Sequence, residues 1–239
     1  MNEFWNEDLE VGYYDKIVKK GLDRKRGIQS FWHITTLNNV SNYIKTNMNH
    51  LDYACGPGTL IGLFSKAKST GVDISNNQII YAKDQYSGKG NFFSLADFQL
   101  QKHQNEYEII TILGLVEFLN NDEITQLITE LEKCLVVGGR IVFTTPNFGG
   151  FMKILEKFLN RFGSVDYSNE HINKFNTSSL KKLNTTFINF ESEVLKFMNF
   201  SIFLAFFSHK LATTIEEFIS KLFSNYFGTL FMVILTKKG

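Results

Sequence analysis

Two acids and two glycines set up a binding chemistry before any element is assigned. Asp52, Gly56 and Gly58 lie in the run Leu51-Asp52-Tyr53-Ala54-Cys55-Gly56-Pro57-Gly58-Thr59, and Asp73 follows in Gly71-Val72-Asp73-Ile74-Ser75. Gly56 and Gly58 remove side chains where a ligand must touch backbone, and they reach dihedrals closed to other residues. The N–H groups opening the next helix then face whatever sits in the crevice. Asp73 ends a second strand about twenty residues on, where doubly wound folds hold a ribose hydroxyl. The same carboxylate could instead cap the helix begun by Ser75-Asn76-Asn77. A dinucleotide fingerprint wants G-x-G-x-x-G, but its third glycine is Ile61 here and the next glycine is Gly62.

Strands and helices must hold these groups in place. Residues 49–53 read as a strand leading into the turn, and Leu60, Ile61, Leu63 and Phe64 give helical periodicity after it. Further strands are expected at 91–95, 108–113, 140–144, 187–197 and 229–237, and helices at 11–20, 30–45 and 151–162. The pattern is an open α/β sheet with its ligand crevice at the carboxyl ends of the strands.

In this order the signals resemble the class I S-adenosylmethionine-dependent methyltransferases, in the small-molecule type related to the ubiquinone-biosynthesis O-methyltransferases. The resemblance is strongest over residues 49–147, with Ala54 standing where the family's first motif has glycine. It implies a Rossmann-like, seven-stranded doubly wound sheet whose last strand is antiparallel, and S-adenosyl-L-methionine as cofactor. By the same resemblance Asp52 helps place the donor's amino group and ties down the turn. Asp73 takes the ribose hydroxyls, Ile74 lies on the adenine face, and Ala96-Asp97-Phe98 contacts the adenine edge and ring. Leu113 closes the fourth strand beside the donor, ahead of Gly114-Leu115-Val116-Glu117-Phe118. Residues 131–139 match the family's helix and double-glycine turn.

Methyl transfer to a hydroxyl is helped by a general base. The chain has five histidines, of which His33 and His171 stand out. His33 lies in a helix expected to cover the cofactor. His171 lies in Asn169-Glu170-His171-Ile172-Asn173-Lys174-Phe175, which resembles the H-x-x-K-F loop of those O-methyltransferases. Their Leu-Glu-His reads Val116-Glu117-Phe118 here, so Glu117 is kept and the histidine is lost. Tyr14, Trp32 and Glu117 are candidate acceptor contacts, with core packing the alternative for both aromatics. No metal set is expected.

The 239 residues suit one domain: a helical cap at 1–47, a cofactor-binding core at 48–147, and an acceptor-side half at 148–239. A net charge of +1 offers no basic stripe for nucleic acid. Cys55 and Cys134 form neither a disulfide framework nor a zinc set. The acidic N-terminus lacks a signal-peptide core, which points to the cytoplasm. Residues 199–227 are unusually apolar, with Leu211, Ile215, Phe218, Ile219 and Leu222 at helical spacing. Two accounts stay open: a helical cover walling the acceptor pocket, or a surface that dips into a bilayer to reach a lipid-borne acceptor. The expected acceptor is a small molecule methylated at oxygen: a sugar or glycolipid, a quinone precursor or another secondary metabolite. An NAD-type oxidoreductase and a non-catalytic module of the same fold are the alternatives, and the oligomeric state is left open.

Overall fold

Isoleucine dominates Tyr107–Leu113, a run with no charged residue after Glu108. Such a strand is stable only where both of its faces are covered. A computed structural model places it at the centre of the sheet and describes residues 10–149, 152, 171–223 and 228–239. The strands are β1 (Asn49–Tyr53), β2 (Lys68–Asp73), β3 (Asn91–Ser94), β4 (Tyr107–Leu113), β5 (Leu135–Pro146), β6 (Phe190–Phe197) and β7 (Leu230–Lys237). Their order in the sheet is β3-β2-β1-β4-β5-β7-β6. The first five are parallel, and β7 runs antiparallel to both β5 and β6. The chain winds outward from β1 to β3 and then returns to the other side of β1. The crevice at that reversal, between the carboxyl ends of β1 and β4, is where such sheets take ligands.

Side-chain alternation divides the core into two layers. Ile109 faces one layer with Val18 of α1 (Tyr13–Arg24) and Phe31 and Leu37 of α2 (Ile28–Ser41). Ile110 and Ile112 face the other, with Ile124, Ile128 and Leu131 of α4 (Asn121–Cys134). Asn120 and Glu123 begin α4 with a reciprocal capping box, satisfying amides that would otherwise lack partners. Asn176 and Ser179 do the same for α5 (Thr177–Asn184). Helix α3 (Asn76–Tyr86) lies between β2 and β3, and α6 (His209–Phe223) precedes β7. Edge strand β6 exposes Glu191, Ser192 and Glu193, and the two carboxylates discourage pairing with another sheet.

The seven-stranded sheet and antiparallel final strand match expectation. Local details differ. The helix expected after the glycine turn is one π-helical turn, Leu60–Phe64, closed by the Ser65 N–H on the Leu60 carbonyl. Helices α1 and α2 are displaced from their expected bounds by two to four residues. The double glycine at 138–139 is a bulge inside β5, not a turn before it: pairing with β4 shifts between Tyr107 and Ile109. Apart from Met152, the helix expected at 151–162 lies outside the described residues.

Candidate active site

The glycine turn exits β1 directly beneath the crevice. Gly56 and Gly58 have φ of 51° and 76°, the left-handed region that favours glycine. Their surroundings differ. A Cβ at Gly58 would lie 2.7 Å from the Phe92 ring, so that glycine lets the turn pack on β3. A Cβ at Gly56 would meet nothing within 4 Å, so open space lies over its backbone. The Gly56 N–H donates to Asp73 Oδ2 and the Ser75 N–H to Oδ1, each at 2.8 Å. Asp73 therefore ties the ends of β1 and β2 together. Burial raises its pKa, against the pull of the Ser75, Gly56 and Ile74 amides.

Asp52, at the end of β1, is buried and accepts a 2.6 Å hydrogen bond from the Thr111 hydroxyl. Burial raises its pKa to about 7. Having donated its proton to Asp52, Thr111 accepts from His50 Nε2 at 2.8 Å, leaving Nδ1 to accept from Ser69 at 3.0 Å. His50 is fully buried, and burial lowers its pKa to about 3, which keeps this ring neutral.

One cavity of ≈ 320 Å³ runs from the turn across the crevice. Asp52, Ala54, Gly56, Asp73, Ile74 and Gln78 line one end. At the other end are Glu117, Phe118, Thr145, His171 and Met152, with Tyr14, Trp32 and His33 over them from α1 and α2. Most of this far wall is apolar. Among its polar atoms, Glu117 Oε2 and Thr145 Oγ1 are buried and have no hydrogen-bond partner among the described residues. Burial pushes Glu117 up to about 7, offset in part by its own backbone amide and by the nearby Thr145 hydroxyl, which lies outside hydrogen-bonding geometry. His171 is held down to about 4 by burial and by Lys174, and His33 to about 4 by burial. The 171–175 loop is clamped over Glu117: Asn173 donates its N–H to the Glu117 carbonyl at 2.9 Å and its side-chain amide to the Leu119 carbonyl at 2.5 Å.

The methyltransferase-domain family model matches residues 26–191, more than half of the chain and all of this crevice except Tyr14, Val18 and Leu230. The chain belongs to that family. Over 120 residues this methyltransferase is 30% identical to the ubiquinone/menaquinone biosynthesis C-methyltransferase UbiE of Desulfotalea psychrophila (strain LSv54 / DSM 12343). That match covers 47% of this chain and 48% of the relative, so the chain spans about half the length of the curated relative it matches. Two solved structures share the fold. A SAM-dependent methyltransferase from Archaeoglobus fulgidus superposes with a TM-score of 0.62 at 19% identity, over 94% of this chain and all of that one. Magnesium protoporphyrin IX methyltransferase (ChlM) from Synechocystis PCC 6803, with bound SAH, gives 0.63 at 13% identity over 99% and 98%.

The methyltransferase's donor end fits S-adenosylmethionine. Open space over the Gly56 backbone leaves room for it, Asp73 retains acceptor sites beyond its two amide bonds, and Ile74 exposes an apolar side chain to the cavity. Several expected roles shift. The carboxylate tying down the turn is Asp73, while Asp52 is engaged by Thr111 on β4. Gly58, Ala96, Asp97 and Phe98 do not line the cavity. Asp97 is exposed and accepts from the Ser94 hydroxyl at 2.6 Å, and Phe98 turns inward, stacked on His103 at 4.5 Å. Of the apolar residues expected beside the adenine ring, Ile74 is therefore the one in the cavity. Leu113 lines it as expected, and Tyr14 and His33 meet edge to face at 5.0 Å.

Three contributors escaped the sequence reading. Thr145 is the second of two buried threonines near the end of β5, a polar pair following the apolar Ile141, Val142 and Phe143. Gln78 shares the helical spacing of Ala82 and Tyr86, which marks it as core-facing, and it accepts the Gly12 N–H at 3.0 Å. Asp15, fully buried on α1, accepts from Thr59 at 3.0 Å, from Tyr81 at 2.8 Å and from Tyr86, joining the cap helix to the glycine turn and α3.

Proposed function

We propose that this methyltransferase moves a methyl group from S-adenosylmethionine to a small, largely apolar acceptor bearing an acidic hydroxyl of the phenol or enol kind. The observation carrying this reading is the buried Glu117 carboxyl, whose Oε2 makes no hydrogen bond among the described residues, with the Thr145 hydroxyl near it. A buried carboxylate oxygen left without a hydrogen bond is costly. An acceptor hydroxyl supplies that donor.

When bound, the sulfonium donor provides an already activated methyl group. The chain's own task is then placement, exclusion of water and one proton transfer. Glu117, at about 7, is the better-matched base, because efficient proton transfer wants a pKa near the working pH. A phenol near pKa 10 is within its reach, whereas an aliphatic alcohol lies much further uphill. His171 and His33, neutral and near 4, serve as acceptor contacts. Thr145 orients the hydroxyl, and Trp32, Phe118 and Leu37 keep the far end dry.

Methylation at oxygen is the direct outcome. A ring carbon beside the ionised hydroxyl is the second possibility, favoured by the C-methyltransferase activity in the relative's name; Glu117 has the same role in both. Incubation with isotopically labelled donor and a panel of phenols, aliphatic alcohols and amines tests the reading. Labelled phenols are expected, with the methylated atom identified by NMR. Transfer to amines or aliphatic alcohols alone would overturn it.

A further inference from the structure

Residues 200–222 bury one side and leave an aromatic surface outside. Helix α6 turns Ala212 and Ile219 into the core, and Glu216 inward, where it accepts from the Asn199 N–H and the Ser201 hydroxyl at 2.9 and 2.6 Å. About 90° around the helix, Leu211, Phe218 and Leu222 recur at i, i+7 and i+11 on one exposed stripe. Phe218 is 61% exposed and Leu222 60%. Just before the helix, Phe206 and Phe207 meet edge to face at 5.1 Å and are 62% and 72% exposed. Five large apolar side chains are thus exposed within one short stretch of chain, the kind of apolar surface that marks an interaction site.

Charge decides what covers it. The loop ending α1 is fixed against this segment. The His209 N–H donates to the Lys25 carbonyl at 2.8 Å, the Gly27 N–H donates to the Ala205 carbonyl at 2.6 Å, and His209 Nε2 lies 3.1 Å from the Gly27 carbonyl. Those contacts hold exposed Arg24, Lys25 and Arg26 beside Phe206 and Phe207, with Lys20 on the same helix end. Lys210 and Lys221 extend from the polar side of α6, and Asp23 and Glu217 oppose them. The chain as a whole is nearly neutral, at +1, so this is a local concentration of cations around an apolar patch. Aromatic and leucine side chains beside lysine and arginine suit the boundary between anionic headgroups and acyl chains. Among the described residues no helix is long and apolar enough to cross a membrane, and α6 is amphipathic about its length, the pattern of a helix lying on a surface.

We propose that residues 200–222 and the loop 24–26 dock this methyltransferase on the surface of an anionic phospholipid bilayer. Docking is independent of the acceptor's identity and of Glu117. The test is flotation of the full chain with vesicles of phosphatidylcholine alone and with added phosphatidylglycerol, at low and high salt. Parallel samples carry Phe206→Ser with Phe207→Ser, or Lys25→Glu with Arg26→Glu. Anionic vesicles are expected to carry the protein upward at low salt, less at high salt, and neutral vesicles far less. Each double variant is expected to weaken binding at least about tenfold while S-adenosylhomocysteine affinity, measured by calorimetry, stays unchanged. Absence of flotation with anionic vesicles at low salt would overturn the proposal, as would equal binding by both variants. So would a protein dimer, seen by light scattering, that the phenylalanine variant dissolves.

Discussion

Asp73 and Glu117 stand at opposite ends of one cavity, and their carboxylates meet opposite fates. Both Asp73 oxygens are held by amides from the turn and from the start of α3. One Glu117 oxygen makes no hydrogen bond among the described residues. Each carboxyl is pushed up by burial, but only Asp73 has backbone amides from neighbouring segments to offset it. The donor end is thus built to shape before any ligand arrives, as a cofactor common to many acceptors allows. At the proposed acceptor end a polar group is left without a hydrogen bond from the protein within a mostly apolar wall, and a ligand with a matching hydrogen would complete it. Preorganisation serves what is constant, and an unmet hydrogen bond selects what is specific.

The sharpest way to break this comparison is Glu117→Gln. The amide keeps the shape and loses the base, so turnover should fall by about 10² to 10⁴, while S-adenosylhomocysteine affinity holds. In the unaltered enzyme activity should rise with pH through about 7, because Glu117 must be ionised to accept a proton. The variant's residual activity should lose that step. A variant retaining full turnover with the true acceptor removes Glu117 from the chemistry. Asp73→Ala should act at the other end: two charge-assisted bonds go, and the turn loses its tie. Donor affinity should weaken by about 10- to 100-fold in calorimetry, and unchanged affinity would mean the cradle lies elsewhere.

Stability gives the same contrast in thermodynamic form. A carboxyl with a raised folded pKa binds protons more tightly folded than unfolded. The stability it contributes is complete below its ordinary value and is lost as pH rises through about 7. Denaturant titrations at pH 5 and pH 8 should therefore show Glu117→Gln gaining on the unaltered protein by roughly 1–3 kcal/mol across that interval. An unchanging difference would mean that Glu117 is ionised throughout. The sign is opposite to the activity profile, since the proton that stabilises the fold blocks the base.

How much of this was visible in the residues alone follows from how local each signal is. The central strands were, because short apolar runs bounded by glycine and polar residues fit strands buried on both faces. Asp52, the glycine turn and Asp73 were as well, since their spacing is fixed by one strand-turn-strand unit. Ala96, Asp97 and Phe98 occupy the right sequence position, but Phe98 found a better partner in His103 than in the cavity, an outcome no spacing encodes. Asp15 was missed because its partners Thr59, Tyr81 and Tyr86 lie 44 to 71 residues away and meet it only after α1 docks. Thr145 carries no pattern of its own; its meaning depends on Glu117 crossing from the neighbouring strand end.

The smallest effect concerns Ala54, a residue with a side chain at φ 62° in the turn where the family carries glycine. A left-handed alanine is strained by about 1–2 kcal/mol. Ala54→Gly relieves that strain but enlarges the conformational freedom of the unfolded chain, which takes back about 0.4–1 kcal/mol. The net should be a gain of up to about 1 kcal/mol, read as a slightly higher denaturation midpoint. Because Gly56 and Asp73 already fix the turn through their own hydrogen bond, donor affinity should barely change. A loss of stability instead would show that the Ala54 methyl packs more tightly than its half-buried position suggests. A marked gain in donor affinity would show that the strained turn is not fully formed until the donor binds, so that the donor end, like the acceptor end, is completed by its ligand.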